Sequence, residues 1–315
     1  MDSTYKQWIN VQLEPLGESV EHIEPVRTSP GSAVFSVLAN GHRCYYLKTC
    51  SAPFTHEPLL AAALDSWMPG SVPHVLAVDT ARHWLLMVDA GPSLRTRIQD
   101  EGDTTLSDEM LRRFAALQQE MIPRQEELLR MGVPDRRLEY LPAFYDELIA
   151  DTPALLIGQK EGVSTKELEQ LRAFAPIVRQ LCQQLADYNL PETLQHDDFH
   201  TANVSHQFHF FDWGECYKAH PFYSLLIALR DARFTLEYDP PTLDRMRNVY
   251  LECWTEYAPF KQLHEVLAIT NQLAALGRAL SWWQIIQHAD DAYRAENADA
   301  VPYWLLTFLH NTPLD

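Results

Sequence analysis

The stretch Gln195-His196-Asp197-Asp198-Phe199-His200-Thr201-Ala202-Asn203, with Asp212-Trp213-Gly214 beginning nine residues after the asparagine, constrains this chain more than any other. The run between them, Val204-Ser205-His206-Gln207-Phe208-His209-Phe210-Phe211, is rich in β-branched and aromatic residues. It reads as a very short hairpin that folds Asp212 back toward Asn203. His196-x-Asp198-x4-Asn203 then puts a carboxylate and an amide oxygen on one compact loop. One can hold a hydroxyl while the other reaches a metal. Mg²⁺ prefers octahedral oxygen coordination and is usually held by one or two protein groups plus substrate phosphates, so Asn203 and Asp212 meet its demand. Asp198 stays free to accept a proton from an attacking alcohol. The competing reading has Asp198 and Asn203 as mere turn caps, a common use of both residue types. The added Asp-x-Gly across an apolar hairpin tells against it.

Size and charge narrow the classes further. A chain of 315 residues, 46% hydrophobic, can bury a sizeable core and suits one two-lobed unit or two close domains. With 25 Lys+Arg against 43 Asp+Glu and a net charge of −18, it lacks the basic footprint that a nucleic-acid partner demands. A cationic or neutral polar small molecule suits that charge better, although solubility alone would explain it as well. Cys44, Cys50, Cys182, Cys216 and Cys253 are odd in number and scattered, without a Cys-x-x-Cys pair, which suggests reduced thiols in a cytoplasmic protein. Residues 1–8 lack a basic region followed by an apolar stretch, and no segment has 18 uninterrupted apolar residues. Neither export nor a membrane partner is expected.

Along the chain, residues 1 to about 16 suit a short amphipathic helix ended near Pro15 and Gly17. Strand-like runs follow at 20–26, 33–38 and 43–50, the last two joined through Asn40-Gly41, a strong hairpin signal. The first two are joined by Arg27-Thr28-Ser29-Pro30-Gly31-Ser32. Further strands are expected at 72–78 and 84–88, the second leading into the Gly-Pro punctuation of Asp89-Ala90-Gly91-Pro92-Ser93. Beyond residue 92 helices are expected at about 106–121, 139–150, 165–188, 221–236, 242–256 and 261–289. A β-rich segment followed by a helical one is an α+β order.

On its motif residues the sequence resembles the aminoglycoside phosphotransferase family, small-molecule kinases that share the protein-kinase fold and include choline-kinase-like enzymes. His196, Asp198, His200, Asn203, Asp212, Trp213 and Gly214 match the family's catalytic and metal loops position by position. Asp197 departs, since the family usually has glycine there. His220-Pro221-Phe222-Tyr223-Ser224 departs too, standing where many members carry an acidic residue before the proline and another soon after.

The resemblance implies a protein-kinase-like two-lobed α+β fold, with a small antiparallel β N-lobe over residues 1–91 and a larger helical C-lobe over 92–315. It implies a phosphate-covering loop at Ser29, Gly31 and Ser32, and a lysine, Lys48, on the third strand to contact the nucleotide phosphates. Glu57 is the candidate partner of Lys48. Pro58 confines the following helix to start near Glu57, so this glutamate sits at a helix entrance and could simply favour the dipole there. Backbone groups near Met87, Val88, Asp89 and Ala90 would hold the base of ATP or GTP. His196 would support the loop, and Glu215 is the acidic candidate nearest the acceptor. Asp231, Glu237, Asp239, Asp290 and Asp291, with Trp254, Trp282 and Trp283 as walls, are more distant candidates. The implied activity is Mg²⁺-nucleotide-dependent transfer of the γ-phosphate to a small-molecule hydroxyl. A catalytically silent nucleotide-binding scaffold on the same fold is the rival. A metal hydrolase using His196, Asp197, Asp198, His200, His206 and His209 is a third reading, but His206 and His209 on a period-two hairpin should face opposite sides.

Overall fold

The computed structural model describes residues 3–312. Helix α1 (Ser3–Leu13) precedes strands β1 (Val20–Ser29), β2 (Ser32–Ala39) and β3 (Cys44–Cys50), helix α2 (Glu57–Trp67), and strands β4 (Val75–Asp79) and β5 (Trp84–Val88). Helices α3 (Leu94–Glu101), α4 (Thr105–Met121), α5 (Gln125–Arg130), α6 (Leu141–Ala150) and α7 (Thr165–Asp187) follow. Strands β6 (Thr193–His196) and β7 (Cys216–Ala219) frame the motif region. The chain closes with α8 (Leu225–Phe234), α9 (Pro240–Glu252), α10 (Phe260–His288), α11 (Asp291–Glu296) and α12 (Ala300–His310).

The first five strands form one antiparallel sheet in the order β1-β2-β3-β5-β4. Its alternation buries Val37, Tyr45, Leu47, Trp84 and Leu86 on one face, where Ile9 and Leu13 of α1 cover them. Trp8 of α1 meets Trp84 edge-on at 5.6 Å between ring centroids. Lys48, next to Leu47, therefore faces the other side of the sheet. Helix α2 covers that side, yet its Leu60 and Leu64 belong to the large helical core rather than to the sheet's own. It thus ties sheet to helices through a face carrying Glu57 at its first turn.

The helical part packs around aromatic side chains that reach into the motif loop. Phe199 is fully buried and stacks on Phe114 of α4 at 4.0 Å, with Phe210 and Trp213 beside it. Burying a Phe contributes about 1.5–3 kcal/mol, so the loop is held by its apolar residues while its polar ones stay available. Helix α7 starts with a full capping box, Ser164 with Glu167.

Several expectations need correction. The connection between β1 and β2 is only Pro30-Gly31, because pairing continues to Ser29↔Ser32. The β2-β3 turn does fall at Asn40-Gly41, with His42 left-handed (φ 60) and its N–H donating to Ala39 O. The 204–211 hairpin shrinks to a single bridge, Val204↔Phe210, because Ser205 Oγ accepts from the backbone of Gln207 and His209 and turns the middle into a loop. Residues 221–224 form a 3-10 turn before α8. Helices α3, α5, α11 and α12 were not foreseen. Among the described residues no helix is long and apolar enough to cross a membrane.

Candidate active site

Sheet and helices face each other across a cleft of about 400 Å³ lined by Lys48, Met87, Val88, Asp89, Ala90, Asn203 and Asp212, among others. The residues singled out in the motif and on the strands thus meet at one place. Ser29, Gly31 and Ser32 do not line it. Their turn is drawn aside by Ser51 N–H donating to Gly31 O at 2.7 Å, and a Cβ on Gly31 would lie 2.8 Å from Phe54. Arg27, at a register shift in β1, lines the cleft instead and reaches within 3.9 Å of Asp212 Oδ2.

Lys48 is buried, and its Nζ donates to Glu57 Oε1 at 2.7 Å and to Asp212 Oδ1 at 2.5 Å. Pro58 does start the helix at Glu57, and the entrance position still permits the ion pair. Glu57 Oε1 accepts from Trp213 N–H as well, at 3.0 Å, so one carboxylate ties β3 to the Asp-Trp-Gly turn. Burial would lower the Lys48 pKa, but the charges of Asp212 and Glu57 outweigh it and raise it above the ordinary range. The lysine is a permanent cation. Asp212 has φ 67, a left-handed conformation that Asp tolerates better than most residues, and this turn aims its carboxylate at Lys48.

The loop residues divide their labour. His196 is buried, and burial lowers its pKa, which keeps the imidazole neutral. Its Nε2 then donates to Phe211 O at 2.9 Å and closes the loop onto the far end of the 204–211 segment. Asp198 has both oxygens engaged: Oδ2 accepts from Asn203 Nδ2 at 3.0 Å and lies 3.3 Å from His200 Nε2, while Oδ1 lies 3.2 Å from Arg278 Nη2. Burial acts to raise its pKa, but His200 and Arg278 prevail and hold the carboxyl well below the usual range. It is a carboxylate at any physiological pH. Asn203 spends its NH₂ on Asp198, which leaves its amide oxygen for the cleft.

A divalent cation can be tested against these atoms. Asp212 Oδ2 and Asn203 Oδ1 are hard oxygens on one cleft wall, and neither is consumed by a strong protein partner. That donor set suits Mg²⁺, which needs few protein ligands. Among the described residues no group of three His, Cys, Asp or Glu side chains converges to hold a metal. His206 and His209 do not face opposite sides, as a strand would require. Both line a neighbouring cleft of about 500 Å³ beyond residues 88–91, because no strand forms there.

Glu215 is half-buried and already has a protein partner. It is ion-paired with Arg278, and burial, opposed by Arg278 and helped by nearby aspartates, pushes its pKa up to about 7. Asp239 and Asp290 cap helices, Asp291 pairs with Arg294, and Trp254 is a core residue packed on Phe222. Asp231 accepts from Thr201 N–H at 2.9 Å and pairs with Arg95, so it holds the loop's backbone. Asp197 accepts from Tyr217 OH at 2.7 Å and lies 3.3 Å from Arg278 Nη1. Cys216 is buried beside His56, a packed thiol whose pKa is raised by burial.

Arg278 is the residue that sequence reasoning missed. A signal was present: it is the one charge in the run Leu273-Ala274-Ala275-Leu276-Gly277-Arg278-Ala279-Leu280, and a charge among buried apolar residues requires partners.

The model of the phosphotransferase enzyme family, APH, matches residues 58–260. The chain belongs to that family. Among curated protein sequences none matches it. A Plasmodium vivax ethanolamine kinase is similar in structure, with a TM-score of 0.63 at 12% identity, over 92% of this chain and 81% of that one. The GDP and kanamycin complex of APH(2")-IIia gives 0.62 at 13% identity, over 99% and 100%. A macrolide 2'-phosphotransferase from Brachybacterium faecium gives 0.59 at 14% identity, over 94% and 98%. The fold of this family member is protein-kinase-like, as the resemblance implied.

Proposed function

We propose that this phosphotransferase moves the γ-phosphoryl group of Mg-ATP or Mg-GTP to a hydroxyl of a small molecule. The observation that carries the reading is the meeting of Lys48, Asn203 and Asp212 at one cleft, from segments up to 164 residues apart, with Asp198 bonded to Asn203 beside it. In this reading residues 1–91 form the nucleotide-binding lobe and 92–315 the lobe carrying the acceptor. The base lies against the backbone of Met87 to Ala90. Lys48 meets the phosphates, and Asn203 and Asp212 hold Mg²⁺, which neutralises charge on the phosphate oxygens. Asp198 orients the acceptor hydroxyl and takes its proton as the new O–P bond forms. The bond from the γ-phosphorus to the bridging oxygen breaks, and the nucleoside diphosphate leaves with that electron pair. Because phosphoryl transfer has a loose transition state, most of the catalysis is positioning and charge neutralisation. The cytoplasm, where nucleotide is abundant, is the proposed compartment.

The displaced 29–32 turn is the observation that favours the rival, a silent nucleotide-binding scaffold. One experiment separates them. Mg-nucleotide should raise the melting temperature, and a screen of amino alcohols, sugars and antibiotics should find acceptor-dependent release of nucleoside diphosphate. Asp198→Asn should cut that release by about 10²–10⁴-fold while the thermal shift persists. A thermal shift without turnover of any acceptor favours the scaffold.

A further inference from the structure

On the side of Asp198 away from Lys48, charge is arranged in a way that bears on the acceptor. Arg278 is 6% exposed and sits among three carboxylates. Its Nη2 lies 3.2 Å from Asp198 Oδ1, its Nη1 lies 3.3 Å from Asp197 Oδ2, and Nη1 also meets Glu215 Oε2. Asp197 cannot move to release it, being buried and fixed by Tyr217 OH at 2.7 Å. The guanidinium is therefore built in. A guanidinium does not lose its proton in a protein, and its fork satisfies several carboxylate oxygens together.

A second guanidinium lies close by. Arg136 is 7% exposed and lines the same small pocket as Glu215. It donates to Ser281 Oγ at 2.6 Å and to Gln284 Oε1 at 2.9 Å, and stacks 4.5 Å over the Tyr217 ring. Its hydrogen-bond partners are neutral. Arg278 thus already pairs with Asp197, Asp198 and Glu215, and Arg136 is a second fixed cation over Tyr217 and beside Glu215.

We propose that Arg278 determines acceptor specificity: its guanidinium takes the place an ammonium group would need among Asp197, Asp198 and Glu215, so the phosphorylated molecule carries no positive charge next to its reacting hydroxyl. A neutral polyol or sugar fits this site, and an amino alcohol does not. A cationic neighbour to the hydroxyl would meet the like charge of Arg278 among carboxylates that already pair with it, a juxtaposition that costs binding. This rests on the reading of Asp198 as the group that takes the hydroxyl proton.

The test uses the full chain with Mg-nucleotide and alcohols matched in shape but not in charge: 3,3-dimethylbutan-1-ol against choline, and glucose against glucosamine. The neutral member of a pair should show kcat/KM at least about tenfold higher. Arg278→Met should lower kcat on the neutral acceptor and narrow or reverse that preference. Arg278→Lys, which keeps the charge, should retain its sign. Because Arg278→Met strands the buried Asp197, the double variant Asp197→Gly/Arg278→Met serves if the single one does not fold. A wild-type preference for the cationic members overturns the proposal, as does the same preference in wild type and Arg278→Met. Nucleotide binding with no diphosphate release from any acceptor sinks the transfer reading itself, and this proposal with it.

Discussion

Two buried cations organise the candidate site, and they do so in opposite ways. Lys48 joins Glu57, nine residues away, to Asp212, 164 residues away, and leaves Asp212 Oδ2 facing the cleft. Arg278 joins Asp197, Asp198 and Glu215 and spends an oxygen of each. The first arrangement has a carboxylate oxygen to spare and suits a metal and phosphates. In the second the guanidinium is already met by three carboxylates, which by the proposal above suits an uncharged group. In the proposed function this difference in how each cation is satisfied divides the nucleotide side from the acceptor side.

The comparison can be broken by removing charges, and the largest effect is expected at Lys48. Lys48→Met leaves the buried Glu57 without a counter-ion beside the half-buried Asp212, and urea denaturation should show a loss of about 3–5 kcal/mol along with loss of the nucleotide thermal shift. Turnover and stability should fall together on this side. On the other side Tyr217→Phe removes only the hydroxyl that fixes Asp197. It should cost about 1–3 kcal/mol, and nucleotide affinity measured by calorimetry should stay unchanged. Equal damage to nucleotide binding by both variants would collapse the distinction between the two sides.

Acid should also act on both regions. Burial lowers the pKa of His56, just before Glu57, to about 4 and that of His220, after β7, to about 3. His220 Nδ1 accepts from Phe222 N–H, which requires the neutral ring. With folded values below the unfolded 6.5, the unfolded chain binds more protons as pH falls, so stability is lost below about pH 6.5. At pH 5 each imidazole should cost about 2 kcal/mol relative to pH 7, read as a falling denaturation midpoint. His56→Gln should remove part of that slope, and a slope of the same size in the variant contradicts the assignment. The smallest effect is expected at Gly31, where φ is 83 and Phe54 crowds the Cβ position. Gly31→Ala should cost about 1 kcal/mol. Nucleotide affinity should hold, because the turn stands off the cleft.

Legibility in the sequence followed the same division. Lys48 and Glu57 followed from the family resemblance that the motif loop carries, while Asn203 and Asp212 could be singled out because a fixed loop spacing is local. The strands at 20–29, 32–39, 44–50 and 84–88 and the long helices were readable for the same reason. Short helices such as 94–101 and 291–296 were not, since they owe their form to neighbours more than to periodicity. The 204–211 segment was read as strands from its composition, but Ser205 offered the backbone a competing set of hydrogen bonds. The roles of Asp197 and Glu215 were out of reach because Arg278 lies 81 and 63 residues further along the chain.

What the sequence determined by itself is therefore the chemistry of the loop: a carboxylate, an amide and a second carboxylate at a spacing that serves phosphoryl transfer, with a lysine upstream to match. Local spacing carries such a message because a loop of a dozen residues has few ways to fold. Only the tertiary structure decided which of those acids remain free. A carboxylate's charge is offset by whatever cation the packing brings within about 3–4 Å, and for Asp197, Asp198 and Glu215 that cation arrives on α10.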